Sequence, residues 1–138
     1  LGFDDRIQSH LDPGFSLPAI GQGAVGIECR IDDDFINELI APLNHPATRT
    51  RVLAERAMHL RLEGGCQVPM AAYGTIKDSE LTITGIVAEI DGSKIIKQIV
   101  TGPVTDAAKI GKELAERLID LGAGEILDKL TQEFKTNE

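Results

Sequence analysis

From Pro46 onward the hydrophobic and polar positions repeat with periods that name elements. Pro46 to Glu63 predicts the strongest helix, with Pro46 suited to a first helical position. Leu53, Ala57 and Leu60 form one apolar stripe on it and Ala54, Met58 and Leu62 another, so much of the circumference is apolar and the helix is expected to be well buried. Val68 to Ile76 predicts a strand. Leu81 to Ile90 predicts a second, with Leu81, Ile83 and Gly85 alternating, and Asp91-Gly92 is a hairpin signal leading to a third strand from Lys94 to Thr101. Gly102-Pro103 breaks that strand. Thr105 or Asp106 can cap the next helix, which runs to about Leu121 with Ala108, Gly111 or Lys112, Ala115 and Leu118-Ile119 at helical spacing. Gly122-Ala123-Gly124 is a break, and a last helix carries Ile126, Leu127, Leu130 and Phe134 before an end that frays from Lys135. One helix, three antiparallel strands and two helices predict an α+β layer whose helices cover one sheet face.

Before Pro46 the pattern is less regular. Phe3, Ile7 and Leu11 fall at i, i+4 and i+8, which predicts the tail of a helix, closed by the turn Asp12-Pro13-Gly14. Leu17 to Gly23 is an irregular glycine-rich crossing whose Gly-Gln-Gly can bring backbone N–H groups close to an anion. Ala24 to Arg30 predicts a strand with Val25, Ile27 and Cys29 on one side, which makes Cys29 a packing residue. Asp32-Asp33-Asp34 precedes a helix with Phe35, Ile36, Leu39 and Ile40 on its apolar face, ended by Pro42. No further ligands cluster near the aspartates, so they read as capping and solvation, not as a metal site.

Composition narrows the class. The chain has 138 residues, 42% apolar and 26% charged, enough for one domain with a real core. A net charge of -8 argues against a general nucleic-acid or anionic-membrane binder. Two cysteines without metal-like spacing predict neither a zinc site nor an obligatory disulfide; reduced thiols and a cytoplasmic setting are the expectation. No apolar run is long enough to span a bilayer and none reads as a signal peptide. A start at Leu1, without methionine and within a predicted helix, is expected of a fragment or a cleaved product.

The residues that invite chemistry gather around Arg61-Leu62-Glu63-Gly64-Gly65-Cys66-Gln67-Val68-Pro69. Gly64 can end the helix in the left-handed conformation, Gly65 leaves the backbone beside the sulfur bare, and Pro69 prevents the helix from resuming. Cys66 is thereby placed on a loop, where a thiolate is available as a nucleophile. His59, on the preceding helix, is the best candidate to assist it, although a packing or surface histidine explains His59 as well; His10 and His45 sit at element ends and read as structural. Arg49 and Arg56 lie seven apart on the face of Leu53 and Leu60. A packed arginine needs an anion, either a local carboxylate such as Glu55 or Glu63, or the carboxylate of a substrate.

Leu62-Glu63-Gly64-Gly65-Cys66-Gln67-Val68-Pro69 resembles the cofactor-attachment loop of the porphobilinogen deaminases (hydroxymethylbilane synthases). A second stretch, Leu17-Pro18-Ala19-Ile20-Gly21-Gln22-Gly23-Ala24-Val25-Gly26-Ile27-Glu28-Cys29-Arg30, agrees with it in the right order. The resemblance covers the whole chain but less than half of the family's length, at its C-terminal end. It implies a transferase of tetrapyrrole (haem) biosynthesis that joins four porphobilinogen molecules head to tail, releases ammonia and frees hydroxymethylbilane. It also implies a dipyrromethane cofactor held by a thioether at Cys66: loss of ammonia from porphobilinogen leaves a cationic methylene-pyrrole electrophile, which a soft thiolate captures. Gln22 and Gly23 would line the cleft near that cofactor, Arg56 would help support it, and Gly64, Gly65 and Gln67 would shape the loop. The family's catalytic aspartate and most of its substrate-binding arginines would lie upstream of Leu1. No catalytic residue and no metal ligand is therefore assigned within this chain, and the chain by itself is expected to be inactive.

Of the family's three domains, residues 1–45 would close the second and return to the first, and residues 46–138 would form the third. The upstream domains of the same enzyme are the expected partner, the complete enzyme is expected to be a monomer, and neither nucleic acid nor membrane is expected. Two alternatives remain at this point. One is a catalytically inactive α+β binding module that retains the motifs, and the other is a thiol hydrolase using Cys66 and His59.

Overall fold

The computed structural model describes residues 2–62 and 69–136. The regular elements are α1 (Asp34–Ile40), α2 (Pro46–Arg61), β1 (Met70–Lys77), β2 (Glu80–Ala88), β3 (Ile95–Pro103), α3 (Ala107–Asp120) and α4 (Ala123–Thr136). The strands form one antiparallel sheet in the order β1-β2-β3, with α2, α3 and α4 against one face, which is the α+β layer that the periodicity predicts. Register places Gly74 opposite Ile83 and Ile83 opposite Val100. Leu81, Ile83 and Val87 therefore share the buried face with Ile96 and Val100, and they meet Met58, Leu114, Leu118, Ile126 and Leu130 from the helices. Each such aliphatic side chain contributes about 1.5–3 kcal/mol by leaving water. On the other face Thr75, Ile99 and Thr101 are exposed.

The two hairpins close differently. Asp91-Gly92 sits in the β2–β3 loop as predicted, with Gly92 at φ +72°. The Ser93 hydroxyl and the Ser93 backbone N–H hold the Asp91 carboxyl below its usual range. Between β1 and β2, Asp78 and Ser79 both take positive φ, 49° and 65°. A two-residue hairpin with both central residues left-handed matches the twist of its strands, and it usually calls for Asn-Gly or Asp-Gly.

Helix faces depart from the sequence reading in detail. In α2, Ala54, Ala57 and Met58 are buried, as is Leu62 just past its end, but Leu53 and Leu60 are 45% and 72% exposed. The cause is the close approach of α3: a Cβ on Gly111 would lie 2.0 Å from the Ala54 carbonyl oxygen. That contact turns the Ala54–Ala57 strip inward and leaves Leu53 and Leu60 outside. In α3 the buried stripe is Ala107, Ile110, Gly111, Leu114, Ala115 and Leu118, with Ala108 exposed. Asp106 is the N-cap residue but makes no side-chain cap, since its Oδ1 accepts from the Thr105 hydroxyl at 3.2 Å. Gly122, at φ +96°, separates α3 from α4.

The first part of the chain holds the larger corrections. The helix expected up to Leu11 is a single 3-10 turn, Asp4–Arg6, with the Arg6 guanidinium 4.8 Å from the Phe3 ring centre. Ala24 to Arg30 forms no strand, and Val25 is 91% exposed. Both departures have one cause. A short helix needs a surface to pack on and a strand needs a neighbour for its N–H and C=O groups, and among the described residues neither lies beside these stretches. Cys29 is half-buried and its Sγ donates to Asn37 Oδ1 at 3.1 Å. Asp33 caps α1 by accepting from the Ile36 N–H at 3.2 Å, as the capping reading expects. No described residue before Ala54 is buried. Among the described residues, no helix is long and apolar enough to cross a membrane.

Candidate functional site

The crossing at Ala19–Ala24 is two linked turns. The Gln22 N–H donates to the Ala19 carbonyl at 3.0 Å and the Ala24 N–H to the Gly21 carbonyl at 3.1 Å. Each turn has glycine in third position, Gly21 at φ +69° and Gly23 at φ +79°. That conformation is open to glycine and resisted by L side chains, which explains why the sequence spells Gly-Gln-Gly. Gln22 folds back so that its Oε1 accepts from the Ala19 N–H at 3.0 Å, leaving its amide NH₂ free to donate elsewhere. Ile20 packs against the core cluster.

The anion that this crossing meets belongs to the chain. Glu55, on α2, is 6% exposed. Its Oε2 accepts from the Gly21 N–H at 2.8 Å and its Oε1 from the Gly74 N–H at 3.0 Å. Strand β1 is an edge of the sheet, so the second bond satisfies an edge donor that β2 does not reach. Hydrogen bonds to a charged acceptor contribute roughly 1.5–3 kcal/mol each, enough to keep a carboxylate buried without a cation. The sequence reading offered Glu55 only as an arginine partner, and that role is corrected here. The available signal was a carboxylate three residues before Met58, on the side of the helix that faces the core.

Two adjoining clefts flank the turn. One, of about 660 Å³, is walled by Gly21, Val25, Arg56, His59 and Met70. The other, of about 500 Å³, is walled by Gly23, His45, Arg49, Leu53 and Arg56. Arg49 and Arg56 are exposed and have no ion-pair partner among the described residues, whereas Arg61 forms a two-pronged pair with Glu116 and Arg51 bonds Thr48. The arginines expected to be packed are therefore exposed guanidinium groups and Glu55 is not their partner, while Glu63, the other carboxylate expected there, lies outside the described residues. His45 is structural as expected: it caps α2, its Nδ1 accepting from the Thr48 N–H at 3.3 Å. His59 is half-buried in the wall of the larger cleft, and His10 is exposed. Gly23 and Arg56 thus wall one cleft, whereas Gln22, next to Gly23 in the turn, lines neither of the two. Gly64, Gly65, Cys66 and Gln67 lie outside the described residues. Arg56 and His59 on α2 and Met70 on β1 come from the two elements that flank that stretch. Among the described residues there is no group of three or more His, Cys, Asp or Glu able to hold a metal.

Fold and site define an α+β domain whose cleft, walled by a glycine crossing and an arginine-bearing helix, suits an acidic small molecule. A family model described as porphobilinogen deaminase, C-terminal domain, matches residues 49–120, and one described as porphobilinogen deaminase, dipyromethane cofactor binding domain, matches residues 1–38. The porphobilinogen deaminase of Geobacter metallireducens is 52% identical over 132 residues, which are 96% of this chain and 42% of that relative. The chain belongs to the porphobilinogen deaminase family, and it spans less than half the length of the relative it matches.

Proposed function

We propose that this chain is the C-terminal part of an enzyme that polymerises four porphobilinogen molecules to hydroxymethylbilane with release of ammonia, and that Cys66 anchors its dipyrromethane cofactor by a thioether. The observation that carries the reading is the position of Cys66. It follows the end of α2 by five residues, within Gly-Gly-Cys-Gln-Val-Pro, in a chain that belongs to this family. Bound there, the dipyrromethane supplies the free pyrrole end that the reaction extends. The described residues fit such a group. A cleft of about 660 Å³ is in the usual range for a small-molecule site. Arg56 borders both this cleft and the adjoining one of about 500 Å³ and offers a guanidinium to acetate or propionate groups, Gly23 presents bare backbone to the adjoining one, and Gln22, beside Gly23 in the turn, has an amide NH₂ with no acceptor among the described residues. Gly64, Gly65 and Gln67 give the anchor loop its shape, and a reducing cytoplasm keeps Cys66 as a thiol able to be alkylated.

Residues 1–45 close the second domain and return to the first, residues 46–138 form the third, and the proton-handling group lies in the upstream domains. The exposed apolar side chains of the first segment support that division. Replacing Cys66 by Ser in the full-length protein should abolish the added mass of two pyrrole units on that peptide and drop turnover to background. A Ser variant with normal turnover refutes the assignment.

A further inference from the structure

We infer that Glu55 is a positioning residue: its buried carboxylate fixes the Gly21 turn, and with it Gln22 and Gly23, relative to the helix that leads to Cys66. The inference rests on the reading above for its consequence in turnover, but its geometry stands independently of that reading. Three segments distant in sequence meet at one carboxylate. These are α2 through Glu55 itself, the crossing through the Gly21 N–H at 2.8 Å, and the sheet edge through the Gly74 N–H at 3.0 Å. Among the described residues the crossing's other ties to the domain are few: Ile20 supplies an apolar one, while Gln22 and Gly23 are exposed and bonded there only within their own turns. Rotation of the turn about Ile20 is therefore opposed chiefly by the Glu55 bond. Arg56, the next residue of α2, looks into the same clefts as Gly21 and Gly23. One carboxylate thus sets the distance between the residues on opposite walls of the cleft.

The chemistry makes glutamate specific. Both donors are N–H groups bonded to different oxygens, so both partners must be acceptors, and only a carboxylate presents two acceptor oxygen atoms. Glutamine keeps one acceptor and turns an NH₂ donor toward the other N–H. Aspartate keeps both oxygens but is one methylene shorter, and it fails to span from α2 to the turn and the strand at once.

The test uses the full-length protein with Glu55→Gln and Glu55→Asp, read by amide exchange at single-residue resolution, by mass on the Cys66 peptide, and by kcat and KM. In the wild type, the Gly21 amide should exchange at least about tenfold more slowly than the rate of an open chain of its sequence. In Glu55→Gln that protection should be lost while the amides of β2 keep theirs, kcat should fall about tenfold with a smaller change in KM, and the two-pyrrole mass should remain. Glu55→Asp should not rescue. A Gly21 amide that exchanges at the open-chain rate in the wild type overturns the proposal even where the variants fail to fold. So does a folded Glu55→Gln protein that retains Gly21 protection, or one that loses it with kcat unchanged. Absence of the two-pyrrole mass from the wild type would instead refute the cofactor reading and leave the Gly21 measurement valid.

Discussion

At the scale of single residues, the strongest constraints are set by side chains that are absent. Gly111 lets α3 approach α2 until a Cβ there would meet the Ala54 carbonyl oxygen at 2.0 Å and the Ala57 Cβ at 3.0 Å. Helix propensity favours Gly→Ala by about 1 kcal/mol. The clash opposes it, and the nearer atom is backbone, which cannot move aside without separating the helices. Overpacking costs about 1–3 kcal/mol, and a 2.0 Å approach to backbone puts this site at the upper end, so Gly111→Ala should destabilise the domain by up to about 2 kcal/mol net. Gly124 is the control: it is helical, and a Cβ there meets nothing within 4 Å, so Gly124→Ala should be neutral or slightly stabilising. Urea unfolding of the two variants checks this, and equal midpoints would refute the packing account. Glu55 shows the limit of residue-level reading. The Gly-Gln-Gly and Gly-Gly-Cys-Gln-Val-Pro stretches declare themselves by composition, but the partner of Gly21 lies 34 positions away and is found only by folding.

At the scale of elements, legibility followed self-sufficiency. The stretches whose apolar faces are covered by neighbours within the chain, α2 to α4 and β1 to β3, were read correctly in type and order. The inward faces of α3 and α4 were read in the main, with Ala115, Leu118, Ile126 and Leu130 buried, but Leu53 and Leu60 of α2 were not, because the close contact at Gly111 set the face of α2 and periodicity alone does not encode that choice. The β1–β2 turn was missed for a different reason: neither Asp78 nor Ser79 is glycine, yet both adopt positive φ. Left-handed conformations cost an ordinary L residue roughly 1–2 kcal/mol, less for aspartate, whose short polar side chain tolerates them. Replacing the pair with Asn-Gly relieves Ser79 most, and should stabilise the domain by about 1 kcal/mol with no change in register. Thermal unfolding measures the gain. An Asn-Gly variant less stable than the parent would mean that Ser79, whose carbonyl accepts from the Val104 N–H at 3.1 Å, depends on a turn shape that Asn-Gly does not keep.

At the scale of the molecule, the chain divides by burial. Beyond Ala54 a continuous core runs between sheet and helices, and before it no described residue is buried, with Phe15 87% and Ile31 96% exposed. Apolar side chains at that exposure leave unrealised the burial energy, about 1.5–3 kcal/mol for each, that would hold their segment in place. The same residues that read as a helix tail and a strand therefore lack the surfaces that those elements need, which is what a segment adapted to other domains would show. Hydrogen exchange should register this as two populations. In this chain, amides of residues 2–45 outside α1 and the linked turns at Ala19–Ala24 should exchange near the rate of an open chain, while amides of β2 and α3 should exchange only by unfolding of the domain. In the full-length protein, residues 24–30 should gain protection of at least about tenfold through ladder hydrogen bonds that this chain cannot offer them. Equal protection on both sides of Pro46 in this chain would mean that the first segment folds with its own core. No gain in the full-length protein would mean that its partner is not the upstream domains.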